Sequence, residues 1–151
     1  MNAQPIPGTT TLDAIERTVE LDHPIDRVWR AVTDPDELAQ WFPNESATLD
    51  VRPGGTGELV WDIDGKEFRT GVEVHEVVEP VRFVWSWGHE STNTTDPVTT
   101  VEFLLTARED GGTTLVVRES GFLRQQHREG NLEGWGEETA ELVAYLAASP
   151  A

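Results

Sequence analysis

The sequence predicts an α+β domain in which a curved antiparallel sheet is packed by one long C-terminal helix, with two short helices after the first strand. Three observations carry this. Segments with period-two alternation follow one another through residues 47–120, separated by tight-turn residues. The period becomes helical from Asn131, and the tract from His23 to Phe42 reads as two well-marked helices.

Residues 1–13, rich in Pro, Gly and Thr, are expected to form a flexible tail ahead of a single domain at 14–148. Residues 14–21 read as the first strand. Pro24 suits the first turn of a helix, where its missing N–H costs nothing, and Val28, Trp29 and Val32 supply an apolar stripe. In the second helix Asp34 is the expected cap and Pro35 fits the first position. Glu37 stands three residues after the cap, as a capping box requires, and Trp41 and Phe42 fall at the helix exit. Residues 47–51 and 59–63 alternate about a glycine-rich turn at 53–57, which makes a hairpin. Asp64-Gly65 is a tight-turn dipeptide leading into a long strand at 66–78. After Pro80, residues 81–87 place Phe83, Trp85 and Trp87 on one side, and 88–97 is a polar loop. Strands at 98–107 and 113–120 are joined by Asp110-Gly111-Gly112. Leu132, Trp135, Leu142, Tyr145 and Leu146 then form a helical stripe that ends at Ser149-Pro150. Gly134 and Gly136 sit early in that helix at about 1 kcal/mol each against alanine. They are expected either to permit close approach to the sheet or to mark a frayed start.

At 151 residues the chain is long enough to bury a real core. It carries 28 acidic against 11 basic residues, a formal charge of −17 spread along its length, with Lys66 the single lysine. Such a surface repels phosphate backbones and anionic headgroups, so neither nucleic acid nor a membrane surface is expected as a partner. Two readings of the acidity stay open: adaptation to concentrated salt, where repulsion is screened, and a coding bias toward arginine. The absence of cysteine excludes disulfides and thiol nucleophiles. No apolar run is long enough to cross a bilayer, the N-terminus lacks the charged and apolar parts of a signal peptide, and the expected compartment is the cytoplasm.

No catalytic constellation is recognisable. Gly55-Thr56-Gly57 opens like a dinucleotide-binding turn but lacks the third glycine and the following helix, and Ser120-Gly121 lacks the nucleophile-elbow pattern. His23, His75, His89 and His127 share no metal-ligand spacing, so neither a metal nor a cofactor is expected. What the pattern does give is a set of inward-facing side chains, because one helix laid across a curved sheet does not easily fill the enclosed space. The expected walls are Trp61 from the hairpin, Val72 and Val74, Phe83 and Trp85, Phe103 and Leu105, and Val117 and Glu119 from the later strands. Trp41 and Phe42 close one end, and Trp135 and Leu142 come from the helix. Small-molecule sites have this character, largely apolar with few polar groups. The competing reading is that the six tryptophans simply fill the core. Glu119 shares parity with Leu115 and Val117, so if the strand stays regular through Arg118 it points inward and is the polar residue expected to orient a ligand; the alternatives are that the strand ends before it or that Arg69 or Arg118 pairs with it.

Pro24, Val28-Trp29, Thr33-Asp34-Pro35, Leu38 and Trp41, then Gly54-Gly55, Gly71 and a closing Gly134-Trp135 with Leu142 and Leu146, form an ordered set. The set resembles the START-like (SRPBCC) superfamily, and within it the group named after activators of the heat-shock protein 90 ATPase. The likeness spans residues 14–148 and implies a helix-grip (START-like, Bet v-like) fold around a pocket for a small apolar or aromatic ligand. Three function classes follow. The first is a carrier, sensor or stress-related ligand-binding protein, with lipid among the candidate ligands. The second is an enzyme like the polyketide cyclases and aromatases, and the third a module acting on a chaperone ATPase. Exposed edge strands allow a homodimer as well as a monomer.

Overall fold

The computed structural model describes residues 11–92 and 96–149. The expected tail therefore lies largely outside the described residues. Among these residues seven strands and three helices run in the order β1 (Ile15–Leu21), α1 (Ile25–Thr33), α2 (Pro35–Trp41), β2 (Ser46–Leu49), β3 (Thr56–Ile63), β4 (Lys66–Val78), β5 (Arg82–His89), β6 (Thr99–Ala107), β7 (Thr113–Ser120) and α3 (Gln125–Ala148). All strand pairs are antiparallel, in the spatial order β1-β7-β6-β5-β4-β3-β2. From β2 to β7 each strand pairs with its sequence neighbour. Only β1 leaves that order, pairing with β7, so α1 and α2 carry the chain from one edge of the sheet to the other. The long helix lies over the concave face, and a single buried cluster joins sheet and helices. This is the helix-grip architecture that the resemblance implies.

Local physics explains the elements and departs from expectation in three places. Asp34 caps α2 by accepting from the backbone N–H of Asp36 at 2.9 Å, with Pro35 in the first position. The capping box is not formed, however. Glu37 turns away from Asp34 and accepts from Arg27 at 2.7 Å, Arg30 at 3.0 Å and the Tyr145 hydroxyl at 2.7 Å. Two guanidinium groups and a phenol within reach outcompete one backbone N–H.

The long helix begins at Gln125, six residues before the apolar stripe announces it. Its first turn has no side-chain cap and no acidic residue, and it borders an open cleft, so it carries no period to detect. Nor do the two glycines mark a frayed start. A Cβ on Gly136 would stand 3.1 Å from the Arg17 guanidinium, which crosses there to donate to the Leu132 carbonyl at 3.0 Å. Nothing lies within 4 Å of such an atom on Gly134, which borders the cleft instead.

Gly71 lies within β4, beside a register shift, where a Cβ would meet the His89 carbonyl oxygen at 2.6 Å. That close approach brings the end of β5 and the loop after it against β4, at one rim of the site described next.

Candidate ligand-binding site

Phe42, thrust under the sheet from the end of α2, sits at the centre of an aromatic stack. Its ring centroid lies 5.3 Å from Trp41, 5.4 Å from Trp61, 5.7 Å from Trp87 and 5.2 Å from Trp135. Trp85 stands 5.3 Å from Trp87 and 5.6 Å from Phe103, mostly edge to face, the arrangement that suits aromatic quadrupoles. The stack fills the space enclosed by sheet and helix. The void left inside, bordered by Val72, Phe83, Trp85 and Phe103, measures about 10 Å³, at most the room of one water. An enclosed pocket is the expectation that fails here, because one ring inserted at the helix exit brings every neighbouring indole into contact.

The open space is at the mouth. Two lobes of about 360 and 230 Å³ meet over Trp61, Phe68, Trp87 and Asn131, between β3–β5 and the first half of α3. Trp135, Gly134 and Glu138 border the larger lobe, and Arg69, Thr99 and His127 the smaller. Phe42 borders both the larger lobe and the inner void, and among the described residues it is the only side chain that does.

Glu119 holds this wall in place. It is fully buried on β7, and four side chains donate to its carboxylate: Trp87 Nε1 at 2.9 Å, Thr99 Oγ1 at 2.5 Å, Asn131 Nδ2 at 3.0 Å and Trp135 Nε1 at 2.8 Å. All four border the cleft, so one carboxylate fixes both indoles and the amide from behind. Arg69 and Arg118, the alternative partners, are engaged elsewhere. Arg69 pairs with Glu58 and Glu67, and Arg118 with Glu16 and Glu102. Two buried donor or acceptor atoms lack a partner among the described residues, Trp85 Nε1 and His127 Nδ1.

Glu138 is partly buried at the end of the larger lobe. Burial pushes its carboxyl up to about 7, with help from the neighbouring charges of Glu141 and Glu137.

Of the thirteen residues expected at the site, Phe42, Trp61 and Trp135 border the cleft, and Glu119 stands directly behind it. Val72, Phe83, Trp85 and Phe103 border the inner void and not the cleft. Trp41, Val74, Leu105, Val117 and Leu142 border neither, and all five are buried core. Trp41 donates its indole N–H to the Ala31 carbonyl at 2.9 Å, which ties α2 to α1. The reason is general: alternation reveals which face a residue takes but not how far along the groove it lies. Phe68, Trp87, Asn131 and Glu138 were missed, although each leaves a trace. Trp87 shares parity with Trp85, and the two-residue turn Asp64-Gly65 sets Phe68 opposite Trp61. Asn131, Trp135 and Glu138 lie at helical spacing on one face. No group of three or more metal-ligating side chains occurs among the described residues, and no helix there is long and apolar enough to cross a membrane.

A curved seven-stranded sheet gripping one helix, opened by paired short helices, can be matched to known proteins. The family model described as Activator of Hsp90 ATPase homolog 1-like protein matches residues 22–147. The chain belongs to that family. Activator-homologue chains of this kind are START-like in fold, and the solved structures agree. The protein is similar to DynU16, from the dynemicin biosynthetic locus, with 27% identity and a TM-score of 0.77 over 90% of this chain and 48% of that one. It is also similar to CalU16 from Micromonospora echinospora, with 26% identity and a TM-score of 0.74 over 96% of this chain and 82% of that one. A third likeness, to a Rhizobium leguminosarum protein, has 24% identity and a TM-score of 0.79 over 91% and 95% of the two chains and speaks to the fold alone. The chain thus spans about half the length of DynU16. Comparison with curated proteins gives no match.

Proposed function

We propose that this activator-homologue protein binds a small apolar or aromatic molecule in the cleft between β3–β5 and the first half of α3, as a carrier or sensor. The observation that carries the reading is the wall itself. Trp61, Phe68 and Trp87 present ring surface to open space, with Trp87 and Trp135 fixed from behind by Glu119. Pre-set aromatic surface lowers the ordering cost of binding a flat molecule. Larger ligands have a route inward past Phe42, which borders both the cleft and the inner void. The likeness to DynU16 supports a small molecule, because that protein comes from a biosynthetic locus. The cyclase and chaperone-partner alternatives have no arrangement among the described residues to carry them.

The test is tryptophan fluorescence during titration with uncharged flat compounds, naphthols and indoles included. Saturable quenching is expected. Trp61→Ala should weaken binding about fivefold, from loss of roughly 1 kcal/mol of ring contact; because Trp61 also packs on Phe42 and Trp87, the comparison is made where unfolding curves show the variant fully folded. Silence across the panel would defeat the reading.

A further inference from the structure

One end of the cleft differs electrostatically from the rest of it. Arg69 is paired with Glu58 and Glu67, and Asp96 with Arg124. Glu138 has no hydrogen bond and no ion pair among the described residues. Among the described residues its charged influences are the like charges of Glu141 and Glu137 on its own helix. The walls facing it are Phe42 from α2, Trp61 and Ile63 from β3, Phe68 from β4 and Trp87 from β5, none of which titrates. A partly buried carboxyl beside indole faces, with no protein cation to meet it, is an arrangement that a bound cation satisfies twice. The carboxylate supplies the counter-charge, and the rings supply the negative face of their quadrupoles. The field of a chain with net charge −17 favours the same sign of ligand.

Resting on the reading of the cleft as the ligand site, we infer that the preferred ligand class is an aromatic amine in its ammonium form, its ring against Trp61 and Trp87 and its ammonium held by Glu138. This goes beyond apolar binding, since it fixes the charge of the ligand and the residue that selects it. Because burial pushes the Glu138 carboxyl up to about 7, its charge and hence the affinity for the cation rise with pH through neutrality, while an alkylammonium probe keeps its charge. Arg69, Asp96 and His127, the other charged or titratable groups of the cleft, lie along the smaller lobe.

Calorimetric titration with tryptamine, tryptophol and indole-3-propionate, which share a ring and differ in charge, decides the matter. Tryptamine should bind about tenfold more tightly than tryptophol, and the anion least well. From about pH 6 to about pH 8 the affinity for tryptamine should rise about tenfold, as the charged fraction of a group titrating near neutrality does, while that for tryptophol stays flat. Glu138→Gln should bring tryptamine down to tryptophol and remove the pH slope. Equal binding of tryptamine and tryptophol, or a slope that survives Glu138→Gln, overturns the cation assignment and leaves the aromatic cleft standing. Failure of all three probes removes the cleft reading and the inference with it. The three-probe comparison and the pH profile use the unaltered protein, so the proposal stays testable even if the variant misfolds.

Discussion

Toward the C-terminal end of α3, Glu37 is drawn out of water between three helices; behind the first half of the same helix, Glu119 is drawn out of water between sheet and helix. The two carboxylates are held by different chemistry. Glu37 has full counter-charge from Arg27 and Arg30, a phenol from Tyr145, and Arg27 stacked 5.7 Å over the Tyr145 ring. Burial raises its pKa, but the Tyr145 hydrogen bond and the Arg27 guanidinium outweigh that and hold it below the usual carboxylate range. Among the described residues Glu119 has no cation, only two indoles, a hydroxyl and an amide. The first arrangement joins α1, α2 and α3 and closes one end. The second fixes Trp87, which stays partly open to solvent, and the buried Trp135 beside it. Glu138, in the cleft itself, has neither kind of partner among the described residues, and that difference separates a joint from a binding surface.

The sharpest way to break this comparison is Glu119→Gln, which turns an NH₂ group toward a site built largely of donors, the indole N–H groups of Trp87 and Trp135 among them. Loss of about 3 kcal/mol is expected in urea unfolding, because buried donors lose an acceptor. A loss below about 1 kcal/mol would show that the four donors find other partners and that Glu119 does not hold the wall.

Glu37→Gln should cost about 2 kcal/mol near neutral pH, from weakened hydrogen bonds to charged groups. Since the folded pKa of Glu37 lies below its ordinary value of 4.5, its contribution is present above that value and is lost as pH falls through the folded pKa. The gap between wild type and variant should therefore close in acid. A gap independent of pH would mean that packing, not charge, makes the joint.

Glu138→Gln should act with the opposite sign and the smallest size. A carboxyl pushed up to about 7 from 4.5 penalises the folded state as pH rises through that window. After allowance for solvent screening, the variant should be more stable by about 1 kcal/mol above neutrality and equal to wild type in acid. Chemical unfolding at both extremes measures it, and a variant less stable above neutrality would show a partner for Glu138 that the geometry does not contain.

The architecture was legible because it is written in local signals. Period-two segments, the Asp64-Gly65 turn and the Asp34-Pro35 helix start each act within a few residues, and together they give seven strands and three helices in the right order. The start of α3 was not legible, since Gln125 to Gly130 carries neither cap nor stripe. The candidate site was legible only by face. Val74, Leu105 and Val117 have the same inward parity as Trp61, yet they lie in closed core and Trp61 on open space.

From the amino-acid order alone came the α+β class, the strand succession, the family likeness, the inward direction of Glu119 and the acidic surface, all properties of spacing and composition. Tertiary structure decided three further things: that Phe42 fills the interior, that Glu37 serves a helix joint instead of a capping box, and that Glu138 borders an aromatic cleft without a partner among the described residues. Each of these depends on side chains from elements distant in sequence meeting at one point. Their distances and leftover charge are set only when the sheet has curved and the helix has settled on it.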